Sequence, residues 1–227
     1  MPVLSGTERR ARMATARLYL VCDARGDGRD LAGFLDAALR GGVDLLQLRD
    51  KEADDDALLA AAPLFRAAAE AHGALFVLND RPDLVAATGA DGVHVGQDDL
   101  PIAAARAAVG DDRIVGLSTH TPQQVDAASA AGAAGTIDYF AVGPVHATPT
   151  KPGRPAAGLA LVEHAASAPR AVPWFAIGGL DAATIGAAAA AGASRAVVVR
   201  ALTRAADPEA AARALRAVLE ERDGAAR

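Results

Sequence analysis

The chain has 227 residues, enough for one substantial core, and its net charge of −5 argues against a protein built to coat nucleic acid. Alanine inflates the hydrophobic fraction of 52%, and the longest apolar stretches stop well short of a membrane span. The lone cysteine, Cys22, lies inside the first apolar run and reads as a small buried residue in a reducing cytoplasm.

Met1 to Arg17 carries basic residues but no continuous apolar stretch, so it reads as a leader without secretory character. Residues 1–16 are expected to be disordered or loosely attached, 17–222 to form one catalytic domain, and 223–227 to be a tail. From Leu18 onward, apolar runs of strand length end in small, polar or charged residues, and Ala-rich helical stretches follow them. The strand runs are Leu18 to Asp23, Asp44 to Arg49, Leu75 to Asp80, Gly92 to Val95, Ile114 to Ser118, Tyr139 to Gly143, Trp174 to Gly178 and Ala196 to Val199. Helical spacing is read at Leu31 to Leu39, Asp54 to His72, Pro101 to Val109, Pro122 to Ala131, Leu159 to Ala166, Ala182 to Ala191 and Asp207 to Arg222. Eight such units predict an α/β fold, a (β/α)₈ TIM barrel in a single domain. An open doubly wound sheet competes, but no dinucleotide glycine fingerprint follows the first strand, and polar strand ends run along nearly the whole chain.

Those strand ends carry the chemistry. In Gln47-Leu48-Arg49-Asp50-Lys51 the strand period points Gln47 and Arg49 the same way, and Arg beside Lys suits a phosphate or diphosphate. The third and fourth runs end in Asn79-Asp80 and in Asp98-Asp99; neighbouring strands in a barrel let Asp80 and Asp99 meet as hard oxygen ligands for Mg²⁺. The alternative is that these residues cap the helices that follow. Ser118 is the candidate ligand contact at the fifth strand, Thr121 before Pro122 is a helix cap, and His120 reads as a loop histidine. The loop Gly143 to Arg154, with Thr148, Thr150 and Lys151 among prolines, resembles a lid over a phosphorylated substrate. Gly178-Gly179 offers backbone N–H groups before a helix expected from Asp181. Arg200 either adds a cation to the same rim or forms an interhelical salt bridge.

With Gln-Leu-Arg-Asp-Lys, Asn-Asp, His-Val-Gly-Gln-Asp-Asp, Ser-Thr-His-Thr, Gly-Pro-Val-His-Ala-Thr-Pro-Thr-Lys and Ile-Gly-Gly in this order, the chain closely resembles the thiamine-phosphate synthases from about Leu18 to Leu202. The resemblance implies an enzyme that joins 4-amino-2-methyl-5-hydroxymethylpyrimidine diphosphate to a thiazole phosphate, forming thiamine phosphate and pyrophosphate with Mg²⁺. It makes Gln47, Arg49 and Lys51 contacts for the pyrimidine diphosphate, with Asn79 beside them. Asp80 and Asp99 match metal ligands, and Asp98 stands where a glutamate is usual. Ser118 and Lys151 match diphosphate contacts, Thr148 and Thr150 match thiazole phosphate contacts, and Gly179 would offer its amide to that phosphate. Arg49, Lys51, Ser118 and Lys151 are thereby the expected catalytic residues. Some relatives end the last strand in a serine; here Arg200 stands in that place, so its guanidinium or backbone would have to replace the hydroxyl.

Two rivals remain: a thiazole tautomerase on the same barrel, and a non-catalytic phosphate-ligand binding protein. The expected partners are the two small-molecule substrates, with no nucleic acid and no membrane. Ala-rich outer helices suit solvent or a second copy equally, which leaves a homo-oligomer open.

Overall fold

The computed structural model describes residues 4–25, 28–148 and 155–225. Eight parallel strands close into a barrel in sequence order, β1 (Leu18–Cys22), β2 (Leu45–Leu48), β3 (Leu75–Asn79), β4 (Gly92–Val95), β5 (Ile114–Thr119), β6 (Tyr139–Val142), β7 (Trp174–Ile177) and β8 (Ala196–Val198), with β8 pairing back onto β1. The expected (β/α)₈ barrel is therefore present, each strand within a residue or two of its predicted limits.

Alternation along the strands divides the core into two shells. Residues facing outward, such as Leu46, Leu48, Phe76 and Leu78, pack under the helices α2 (Leu31–Arg40), α3 (Asp55–His72), α5 (Ile102–Val109), α6 (Pro122–Ala133), α7 (Leu159–Ala166), α8 (Ile185–Ala190) and α10 (Pro208–Ala225). Inward residues Tyr19, Leu45, Leu75, Val77, Ile114, Tyr139, Phe175 and Val197 fill the barrel. Gly116 belongs to that interior for a steric reason: a Cβ there would lie 2.1 Å from the Tyr139 ring. Thr121 caps α6 as expected, its side chain accepting from Gln124 N with Pro122 in the first turn. Short helices α4 (Val85–Thr88) and α9 (Arg200–Thr203) follow β3 and β8 and have no counterpart in the periodicity.

The amino-terminal segment differs from expectation. Within the segment expected to be loose, Gly6–Thr15 form α1, opened by a reciprocal capping box between Ser5 and Glu8, while residues 1–3 lie outside the described residues. Met13 and Ala16 enter the barrel interior from below, and Arg9, 2% exposed, pairs with the fully buried Asp91 at 2.9 Å. The positive charges that resembled a leader are thus anchors. At the other end, residues 223–225 continue α10 instead of forming a tail.

Three aspartates at intervals of 47 residues, Asp44, Asp91 and Asp138, stand directly before β2, β4 and β6. Each accepts a backbone N–H from the start of the preceding strand, from Leu18, Phe76 and Val115 respectively, and each is paired with arginine: Arg216; Arg9 and Arg66; Arg10 and Arg106. These clamps fix the register of successive strand pairs and so hold the opposite, carboxyl-terminal rim in place. Among the described residues, no helix is long and apolar enough to cross a membrane.

Candidate active site

A cavity of about 250 Å³ opens at the carboxyl-terminal ends of the strands, the end of a barrel where strand-end residues and βα loops form sites. Gln47, Arg49, Asn79, Ser118, Thr148, Gly179 and Arg200 all line it. These residues come from six of the eight strand ends, so closure of the barrel alone brings them together. Thr150 and Lys151 lie outside the described residues.

The shared face predicted for Gln47 and Arg49 holds, since both reach the cavity while Leu48 packs outward. Arg49 Nε is buried without a hydrogen-bond partner among the described residues. A buried guanidinium nitrogen left unpaired costs stability unless a ligand supplies the acceptor.

Beside the cavity sits an acidic pair. Asp80 adopts φ 59°, an unusual conformation for a residue with a side chain, and its N–H is held by the His94 carbonyl at 2.9 Å. Its carboxylate accepts from Asn79 Nδ2 at 2.6 Å, lies 3.8 Å from Lys51 Nζ and is within hydrogen-bonding reach of Asp99. Burial, and next the Asp99 charge, push the Asp80 carboxyl above its usual range; Lys51 and Asn79 pull it back. Neither aspartate is a helix cap: Arg81 and Pro101 occupy the cap positions, with no side-chain cap bond at either. Asp99 instead accepts from Gly96 N at 2.8 Å. Two facing carboxylates form a donor set that a divalent cation satisfies, with water and substrate oxygens completing its shell. No group of three or more His, Cys, Asp or Glu side chains suited to a metal occurs among the described residues.

On the far side of the cavity, Gly178 and Gly179 have φ values of 107° and 65°, which turn the chain sharply after β7. The helix expected from Asp181 begins only at Ile185, because residues 181–184 form a turn in which Thr184 Oγ1 donates to the Gly179 carbonyl. Gly179 therefore belongs to a glycine turn and not to a helix amino terminus. Arg200 opens α9 and lines the cavity, and no carboxylate among the described residues lies within salt-bridge distance of it. Arg204, one turn further on, lines the same cavity and was missed.

The floor was missed as well. Gln47 Nε2 donates to the Tyr19 hydroxyl, which lies 3.1 Å from the Tyr139 hydroxyl; that oxygen is 3.1 Å from His94 Nδ1, and His94 Nε2 is 2.9 Å from Ser118 Oγ. All five side chains are buried. The available signal was a polar tip at inward positions of several strands, since a buried Tyr or His requires a partner. His120, read as a loop histidine, lines the cavity with Nδ1 2.5 Å from the Gly143 carbonyl.

The thiamine monophosphate synthase family model matches residues 18–202. The thiamine-phosphate synthase of Arthrobacter sp. (strain FB24) is 50% identical over 92% of this chain and 97% of its own, and that of Thermobifida fusca (strain YX) is 53% identical over 91% and 94%. Among solved structures, thiamine phosphate pyrophosphorylase from Pyrococcus furiosus superposes with a TM-score of 0.79 at 26% identity, covering 94% of this chain and 98% of that one. A 3-hexulose-6-phosphate synthase at TM-score 0.60 and 24% identity shares the fold alone. On the strength of this match, which spans every strand of the barrel and the rim above it, the chain belongs to the thiamine monophosphate synthase family.

Proposed function

We propose that the chain is a thiamine-phosphate synthase, a transferase that moves the pyrimidinylmethyl group from its diphosphate to the ring nitrogen of a thiazole phosphate, releasing pyrophosphate. The observation that carries this reading is the convergence of seven expected contacts on one cavity, with the Asp80–Asp99 pair and Lys51 beside it, in a chain of this family.

The pyrimidine amino group pushes electron density toward the exocyclic methylene. The C–O bond then breaks with both electrons going to the diphosphate, and the thiazole nitrogen lone pair forms the new N–C bond. No side chain has to act as nucleophile, so the chain's task is to bind, orient and stabilise leaving-group charge. Arg49, Lys51, Ser118 and Lys151 contact the diphosphate in this assignment. Arg49 Nε finds there the acceptor it lacks among the described residues. Gln47 and Asn79 orient the pyrimidine, while Thr148, Thr150, Gly179 and Arg200 hold the thiazole phosphate. Asp80 and Asp99 would hold Mg²⁺, which would supply Lewis-acid neutralisation of the leaving diphosphate's charge. The buried free thiol of Cys22 suits a reducing cytoplasm as the place of this reaction.

Incubating both phosphorylated heterocycles with the enzyme and Mg²⁺ is expected to yield thiamine phosphate by mass and one pyrophosphate per product. Recovery of an isomerised thiazole alone would make the protein a tautomerase, and binding without product would reduce it to a ligand-binding protein.

A further inference from the structure

Five buried side chains from five strands cross the barrel floor as one hydrogen-bonded row: Gln47, Tyr19, Tyr139, His94 and Ser118. Such a row has two self-consistent polarities. Each hydroxyl donates one proton, and a neutral imidazole donates from one nitrogen while accepting at the other. If Gln47 donates through Nε2, Tyr19 must donate to Tyr139 and Tyr139 to His94 Nδ1. That leaves the imidazole proton on Nε2, where it donates to Ser118 Oγ, and the Ser118 hydrogen has no acceptor among the described residues. In the reverse polarity Gln47 accepts through Oε1, His94 carries its proton on Nδ1, and the Ser118 hydrogen is spent on His94 Nε2. The two polarities differ in what they present at the ends of the row: the first leaves a Ser118 hydrogen and Gln47 Oε1 free, the second a Ser118 lone pair and the Gln47 Nε2 hydrogens.

We propose that this row is a one-directional relay that makes Ser118 an obligate donor to the bound diphosphate and leaves Gln47 Oε1 as an acceptor for the pyrimidine amino group, with Tyr19, Tyr139 and His94 as positioning residues. The assignment of ligands rests on the function proposed above. Both ends agree with that chemistry, since a diphosphate accepts hydrogen bonds and an amino group donates them. The reverse polarity would set an oxygen lone pair of Ser118 against the anion. Burial pushes both tyrosine hydroxyls above their ordinary range, so they stay protonated and able to donate. Gly116 makes the relay possible, because any side chain there would displace the Tyr139 ring.

The polarity can be read directly from the imidazole in the ligand-free enzyme. Long-range ¹H–¹⁵N correlation spectra, with the His94 signals assigned by their loss in His94→Gln, are expected to show the Nε2–H tautomer; the Nδ1–H tautomer or an imidazolium overturns the relay. Tyr139→Phe is expected to lower kcat about ten-fold, the effect of weakening one hydrogen bond to a charged group, with KM for both substrates changed by less than about two-fold. Adding Tyr139→Phe to Ser118→Ala should cost nothing further, because the relay acts through that hydroxyl; additive losses sink it. Tyr19→Phe serves the same cycle if Tyr139→Phe does not fold. Failure of the wild-type enzyme to make thiamine phosphate would overturn the function while leaving the tautomer result to stand or fall by itself.

Discussion

At the amino-terminal end of the barrel, Asp44, Asp91 and Asp138 each meet an arginine and a backbone N–H; at the carboxyl-terminal end, Asp80 faces another carboxylate and Arg49 Nε is buried with nothing to donate to among the described residues. Both ends hold charge, but the carboxyl-terminal end balances it only in part: Lys51 lies 3.8 Å from Asp80, while the facing carboxylate of Asp99 and the Arg49 Nε are left without compensation among the described residues. The paired end consists of contacts that the fold completes by itself. The unpaired end consists of groups that an anionic substrate and a cation would complete, and the left-handed backbone at Asp80 adds strain in the same place. Stability and function are thus separated along the barrel axis, as expected when strand-end loops carry chemistry on a rigid scaffold.

Breaking the paired end should have the largest effect. Asp91→Asn leaves Arg9 and Arg66 facing a neutral group in a buried site, and the expected loss is about 3–5 kcal/mol in denaturant unfolding, with kcat per folded molecule retained. A drop in kcat without loss of stability would erase the contrast between the two ends. Arg49→Met should do the opposite. Product formation is expected to fall by about 100-fold or more, as for removal of a preorganised donor to developing charge, while the thermal midpoint stays level or rises. A destabilised but active variant would move Arg49 into the structural class.

The smallest effect, and the sharpest test of the acidic pair, lies in pH dependence. The folded-state pKa of Asp80 is raised, first by burial and then by Asp99, so the ionised form is the disfavoured one. The stability associated with this group is fully present below its unfolded pKa and is lost as pH rises through the folded value. The metal-free enzyme should therefore lose thermal stability with rising pH just above the ordinary carboxylate range. Asp80→Asn should flatten that slope and abolish the stabilisation that added Mg²⁺ gives. An unchanged slope and metal response would remove Asp80 from the acidic site.

Much of the rim was legible without coordinates, because strand periodicity places Gln47 and Arg49 on one face and strand-end position places Asp80, Asp99 and Ser118 at one end of a closed barrel. The floor was not. Tyr19 and Tyr139 are 120 residues apart, and their hydroxyls meet only because β1 and β6 face each other across an interior kept open at Gly116. Arg204 reaches the cavity because α9 turns there, a four-residue helix too short for periodicity to reveal. The helix expected from Asp181 begins only at Ile185, because Asp181 forms a turn with Thr184.

By itself, the order of apolar runs and polar strand ends determined the eight βα units, the end of the barrel where chemistry is found, and the family. Tertiary structure decided what could not be local: the anchoring of Arg9 and Arg10 under the barrel, the aspartate clamps, the meeting of two carboxylates, and the hydrogen-bond row beneath the cavity. The reason is physical. Periodicity and strand ends are fixed by the backbone repeat of a single element, whereas the pairing of buried polar groups depends on register and closure, which arise only when all eight strands come together.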